Sequence, residues 1–188
     1  MSEANKLFYK KSIDKYGVSP LGVHWNSEFT QYKRFEILTS FIANEIKNST
    51  IVDAGCGFGE YYKYLNDNNH HPKQYIGIDS LDEMVAISRD RFKDVEFCKQ
   101  DILKDDLRTA DYYLCSGAMN ILSKKEFYSF IEKCYSASNK GFVFNFLKSK
   151  SFNKIKIDDV ISFCSSLTNK IATKNDYLDN DFTIFMIK

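Results

Sequence analysis

The stretch Thr50-Ile51-Val52-Asp53-Ala54-Gly55-Cys56-Gly57-Phe58-Gly59-Glu60 constrains this chain more than any other. A short apolar run ends in an acid, and three glycines follow at every second position. Tyr61 to Asn66 then has the composition of the first turns of a helix. Glycine adopts positive φ without a Cβ clash and lets a backbone approach another group closely. A buried strand, a tight turn and a helix start therefore follow one another here, and the turn leaves room for a ligand against the main chain.

The rest of the chain repeats the alternation. Gln74–Asp79 is a second short apolar strand ending in an acid, and Ser80 or Asp82 opens a helix carrying Met84, Val85, Ile87 and Phe92. Val95–Cys98, Ala110–Gly117 and Gly141–Leu147 read as further strands, with a helix capped by Ser123 before the last. Strand–helix alternation of this kind predicts an α/β fold with a parallel, doubly wound sheet. The tail departs from it. Ile157–Leu167 reads as a helix, and two strands, 171–177 and 182–187, flank the turn residues Leu178 to Asp181, so the last pair is expected to be antiparallel. Ahead of the glycine turn, a helix is expected from Glu28 to about Asn48. Phe29, Tyr32, Phe35, Ile42 and Ile46 lie on its core face, and Gln31 lies at the edge of that face.

With 188 residues the chain holds one full core, read as a single domain with residues 1–48 as a helical cap and 49–188 as the core. A formal net charge of +1 favours neither nucleic acid nor an anionic membrane. The five cysteines lack a C-x-x-C pair, which argues against a disulfide framework and against a metal site. They suit a reducing, cytoplasmic setting, and no apolar run approaches a membrane span.

The spacing discriminates between ligands. Dinucleotide-binding Rossmann units carry G-x-G-x-x-G facing a pyrophosphate, whereas here the order is D-x-G-x-G-x-G. The third glycine comes one residue early, and Asp53 would repel a phosphate but suit a cation. S-adenosylmethionine has an ammonium and a sulfonium and no phosphate.

From these residues onward the chain resembles the class I S-adenosylmethionine-dependent methyltransferases, over roughly Ile51 to Lys188. The resemblance implies a Rossmann-like, mostly parallel seven-stranded sheet with an antiparallel C-terminal hairpin and helices on both faces. It implies that Asp53, Ala54, Gly55, Cys56, Gly57 and Gly59 cradle the cofactor. Asp79, with Ser80 beside it, matches the acid that takes the ribose hydroxyls. Met84 matches the apolar contact to adenine. Gln100, Asp101 and Ile102 match the segment pairing with the adenine edge, and Ser116, Gly117 and Ala118 the turn lining the methionine and sulfonium. Taken singly, Asp79 also reads as a helix cap, Met84 as core and Asp101 as a solvated turn.

The acceptor is less legible. No N-P-P-Y-type segment follows the fourth strand, which argues against base methylation and for a small-molecule acceptor. The N-terminal region resembles the lids of bacterial methyltransferases. Trp25 and Gln31 are therefore expected at the methionine end of the cofactor, although Trp25 also reads as a staple of the helix to the core. His24 is the lone base candidate. Asn145, at the carboxyl end of the fifth strand, either touches substrate or satisfies backbone groups. A monomer or a homodimer fits the composition. Two other functions remain open: a non-catalytic S-adenosylmethionine-binding or regulatory module of the same fold, and a nicotinamide oxidoreductase, which the early third glycine and the terminal hairpin oppose.

Overall fold

A computed structural model describes residues 28–149 and 155–188. His24, Trp25 and the first 27 residues of the expected cap lie outside the described residues. The elements run α1 (Glu28–Ser40), a 3-10 turn (Ile46–Asn48), β1 (Thr50–Ala54), α2 (Glu60–Asp67), β2 (Gln74–Asp79), α3 (Asp82–Arg91) and β3 (Glu96–Lys99). They continue with β4 (Ala110–Ser116), a 3-10 turn (Ala118–Ile121), α4 (Lys124–Ala137), β5 (Ser138–Leu147), α5 (Ile157–Leu167), β6 (Ile171–Lys174) and β7 (Asp181–Ile187).

The seven strands form one sheet in the order β3-β2-β1-β4-β5-β7-β6. The first five pair in parallel. β7 runs antiparallel between β5 and β6, closing the expected hairpin. Strand order reverses at β1, which pairs with both β2 and β4. Ligands of open α/β sheets bind outside the carboxyl ends of the strands at such a reversal, and the glycine turn leaves β1 there.

Successive strand side chains point to opposite faces, and each face carries its own apolar layer. Val52, Ile76, Tyr113, Phe142 and Phe144 pack against α4 and α5 through Phe127, Ile131, Val160 and Cys164. Ile51, Tyr75, Leu114, Val143 and Phe185 pack against α1 and α2 through Phe35, Leu38, Tyr61 and Leu65. This core explains the abundant Phe and Tyr. α4 starts at a capping box, in which Glu126 N donates to Ser123 Oγ and Ser123 N donates to Glu126 Oε2.

Two expectations about α1 are corrected. The helix ends at Ser40, not near Asn48. Ser40 Oγ donates back to the Ile37 carbonyl, and the Ile42 amide donates to Thr39 O, tightening the chain away from the α-helical ladder. Phe29 is also not on the core face, being 73% exposed. The buried face is rotated toward Gln31, Arg34, Phe35 and Leu38. The reason lies opposite it, where the sheet turns polar.

Candidate active site

At the carboxyl ends of β1, β4 and β5, and at the neighbouring start of β7, the strand positions facing α1 and α2 change character. Asp53 follows Ile51 on that face, Ser116 follows Leu114, Asn145 follows Val143, and Asp181 and Thr183 precede Phe185. An apolar layer thus ends in a polar belt, and α1 answers with buried Gln31, Arg34 and Thr39.

The glycine turn sits at one end of this belt. Gly55, Gly57 and Gly59 have φ of 85°, 53° and 79°, the left-handed region that glycine enters without strain. The Gly55 and Cys56 amides both donate to the Ile78 carbonyl, at 2.8 and 3.0 Å, binding the turn to the end of β2. Ala54 and Cys56 are buried. A Cβ on Gly55 would stand 2.4 Å from the Cβ of Ala118, so the turn after β4 lies directly against the glycine turn. Gly117, with φ 75°, starts that second turn.

Asp79 joins the two halves of the site. Its Oδ2 accepts the Gly57 amide and its Oδ1 accepts the Leu81 amide, each at 3.0 Å. Both the ribose reading and the capping reading draw on this geometry. The carboxylate braces the turn and the start of α3, and the Ser80 backbone adds a third hydrogen bond to it. Burial pushes its pKa up. Ser80 follows at the rim, half-buried. Gln100 continues from β3, its amide donating to Asp79 O. Asp101 Oδ1 accepts the Leu103 amide, so the carboxylate shapes its own turn, while Ile102 packs into the core. Met84 is 2% exposed, in a small cluster with Phe58 and Leu81. It supports the floor beneath the glycine turn from within this cluster.

Asp53 is buried in the α1/α2 layer, where the Tyr75 hydroxyl donates to its Oδ2 at 2.6 Å. Burial raises its pKa to about 7, and the nearby Asp79 charge adds to this. The folded chain therefore keeps a proton that an unfolded aspartate releases near pH ~3.9. The unfolded state binds fewer protons between those values, so this group's contribution makes stability fall as pH rises from about 4 to about 7. Urea midpoints at pH 5 and pH 7.5 measure this. Wild type should lose on the order of a few kcal/mol more than Asp53→Asn over that interval. Equal losses in the two proteins would show that Asp53 is ionised throughout.

Two polar atoms at the belt are sealed from water and have no hydrogen-bond partner: Gln31 Oε1 and Ser116 Oγ. Gln31 is 3% exposed. A buried acceptor left unmade costs about 1–3 kcal/mol, and such an atom in a folded chain calls for an explanation. A ligand that donates hydrogen bonds between α1 and the end of β4 supplies one. Asn145, by contrast, is fully buried and fully engaged. Its Oδ1 accepts the Gly117 amide and its Nδ2 donates to Asp181 Oδ1, both at 3.0 Å. One of these partners is a backbone amide and the other a carboxylate. Arg34 and Asp181 carried no signal in a residue-by-residue reading, yet they form a buried pair. Arg34 Nε and Nη2 donate to the two Asp181 oxygens at 2.5 and 2.8 Å. The three-residue spacing of Gln31 and Arg34, which places both on one helical face, was the available clue.

Comparison with known proteins agrees with this geometry. Residues 51–141 match the family model described as "Methyltransferase domain". The chain carries a methyltransferase domain. The matched segment runs from β1 to the start of the apolar part of β5, and so spans the glycine turn, Asp79, the Asp101 segment and the Ser116–Ala118 turn. Solved methyltransferases share the fold. An N-methyltransferase from Bradyrhizobium japonicum, in complex with S-adenosylhomocysteine, is 13% identical and superposes with a TM-score of 0.72 over 97% of each chain. A magnesium protoporphyrin IX methyltransferase from Synechocystis, with bound S-adenosylmethionine, is also 13% identical. It has a TM-score of 0.71 and covers 98% of this chain and 92% of its own. A third, an S-adenosylmethionine-dependent methyltransferase from Clostridium acetobutylicum, is 13% identical with a TM-score of 0.66, over 100% of this methyltransferase and 99% of that one. No curated protein matches the sequence. Among the described residues, no cluster of His, Cys, Asp and Glu could hold a metal ion, and no helix is long and apolar enough to cross a membrane.

Proposed function

We propose that this methyltransferase binds S-adenosylmethionine over the glycine turn and transfers its methyl group to a small-molecule acceptor. The observation that carries the reading is the turn of three positive-φ glycines packed on the Gly117–Ala118 turn, together with two buried, partnerless atoms, Ser116 Oγ ahead of that second turn and Gln31 Oε1 on α1. Both are hydrogen-bond acceptors, as the methionine ammonium requires. The Asp79 carboxylate suits the ribose hydroxyls, and the Gln100–Ile102 segment, adjoining Asp79 through the Gln100 amide, suits the adenine edge.

When bound, this cofactor supplies a sulfonium-activated methyl for nucleophilic displacement. The chain's own contribution is placement and exclusion of water. Asp79 braces the turn, the close Gly55–Ala118 approach fixes the two turns against each other, and α1 covers the belt. None of these roles requires a proton to move. Residues 49–188 then form the cofactor-binding core of one domain. The described cysteines are all free, as a reducing cytoplasm would keep them.

The test is a screen for S-adenosylhomocysteine release. The full chain is incubated with S-adenosylmethionine and pools of amines, hydroxy compounds, thiols and carboxylates. Turnover above the acceptor-free rate in at least one pool is expected. Tight cofactor binding with no turnover in any pool would instead favour the non-catalytic binding module.

A further inference from the structure

One side-chain chain crosses the whole candidate site, and none of its members is explained by packing alone. It starts on α1 with Arg34, whose guanidinium grips both oxygens of Asp181 at the start of β7. Asp181 also accepts from Asn145 Nδ2 on β5, and Asn145 Oδ1 takes the Gly117 amide in the turn after β4. Arg34 is 8% exposed, Asp181 1% and Asn145 0%. Four hydrogen bonds thus connect the covering helix to the turn that packs on Gly55. At the two ends of this relay stand the two partnerless atoms: Gln31 lies one helical turn before Arg34, and Ser116 immediately precedes Gly117.

A buried ion pair is a poor stabilising device. Desolvation of both charges offsets their attraction, and well-packed apolar replacements are often as stable or more so. A fork-to-fork arginine–carboxylate contact instead fixes geometry, because both partners are planar and two bonds set their relative orientation. Here the geometry fixed is that of Gln31 relative to Ser116.

We infer that Arg34, Asp181 and Asn145 are positioning residues that set α1 and the Gly117 turn at the spacing needed to hold the methionine end of the cofactor. The inference rests on the cofactor reading above. It assigns the pair to ligand placement and not to folding. An apolar substitution of both partners should then leave the fold intact and damage binding.

The experiment is calorimetric titration of the full chain with S-adenosylhomocysteine, read together with the thermal midpoint. Arg34→Met/Asp181→Leu is expected to melt at or above the wild-type midpoint while its affinity falls at least tenfold. The control Lys33→Ala/Glu36→Ala removes an exposed pair on the same helix and should bind as wild type does. If the Arg34/Asp181 double variant fails to fold, the pair serves stability first, and Asn145→Leu decides the matter. That substitution keeps both partners of the Arg34–Asp181 fork and removes the two Asn145 bonds that join Asp181 to the Gly117 turn, so a tenfold loss of affinity in a folded sample still supports the relay. A folded double variant, or a folded Asn145→Leu, that binds within twofold of wild type overturns it. Wild-type protein that fails to bind overturns the cofactor reading itself, and this inference with it.

Discussion

Asp79→Ala is expected to weaken S-adenosylhomocysteine binding by about 1–3 kcal/mol, or roughly 5- to 150-fold. Two effects combine. The ribose loses a charge-assisted partner, and the Gly57 and Leu81 amides lose the acceptor that holds the glycine turn to α3. Asp79→Asn separates them. A neutral amide keeps one acceptor oxygen, so it holds fewer of the backbone donors and binds ribose less strongly than a carboxylate. Its affinity should lie between those of wild type and alanine. Titration calorimetry on samples shown to be folded by their melting profile measures both. Unchanged affinity in the alanine variant would mean that Asp79 is a brace for the turn and not a ligand residue.

Gly55→Ala should damage both stability and cofactor binding. At φ 85° an alanine is strained, and its Cβ would meet Ala118 Cβ at 2.4 Å, well inside contact distance. Strain and overpacking together cost on the order of 2–5 kcal/mol. Relief requires the glycine turn and the Gly117–Ala118 turn to separate, which opens the site, so cofactor binding should be lost along with stability. Adding Ala118→Gly removes the clash but not the φ strain. The double variant should therefore recover part of the stability, a coupling expected of residues in direct contact. Denaturant unfolding of the two single variants and the double variant measures it. If Gly55→Ala melts as wild type does, the two turns are not packed as described.

The fold was legible because its determinants are local. Apolar runs of strand length, a glycine turn that only positive φ explains, and a helix cap at Ser123 each declare themselves within about ten residues. The tail strands did so as well, through the turn composition of residues 178–181. The misread face of α1 has a different origin. Apolar periodicity assigns a helix face on the assumption that its partner is apolar, and α1 docks partly on a polar belt. Gln31 and Arg34 are therefore buried and Phe29 is exposed. Likewise, no local pattern links Arg34 to Asp181, because they are 147 residues apart and their pairing depends on β7 entering the sheet beside β5. Asn145 shows the remaining gap. Its position at a strand's carboxyl end was readable, but the choice between substrate contact and backbone partner depended on what the Gly117 turn did opposite it.

The central claim is that the D-x-G-x-G-x-G turn, Asp79 and the partnerless Gln31 and Ser116 form one S-adenosylmethionine site. Calorimetric titration of the wild-type chain with S-adenosylhomocysteine, run in parallel with NAD, tests it most directly. Saturable binding of S-adenosylhomocysteine at one site per chain, with none for NAD, is the predicted result. A folded chain that takes up no S-adenosylhomocysteine at millimolar ligand, or that prefers NAD, would contradict it.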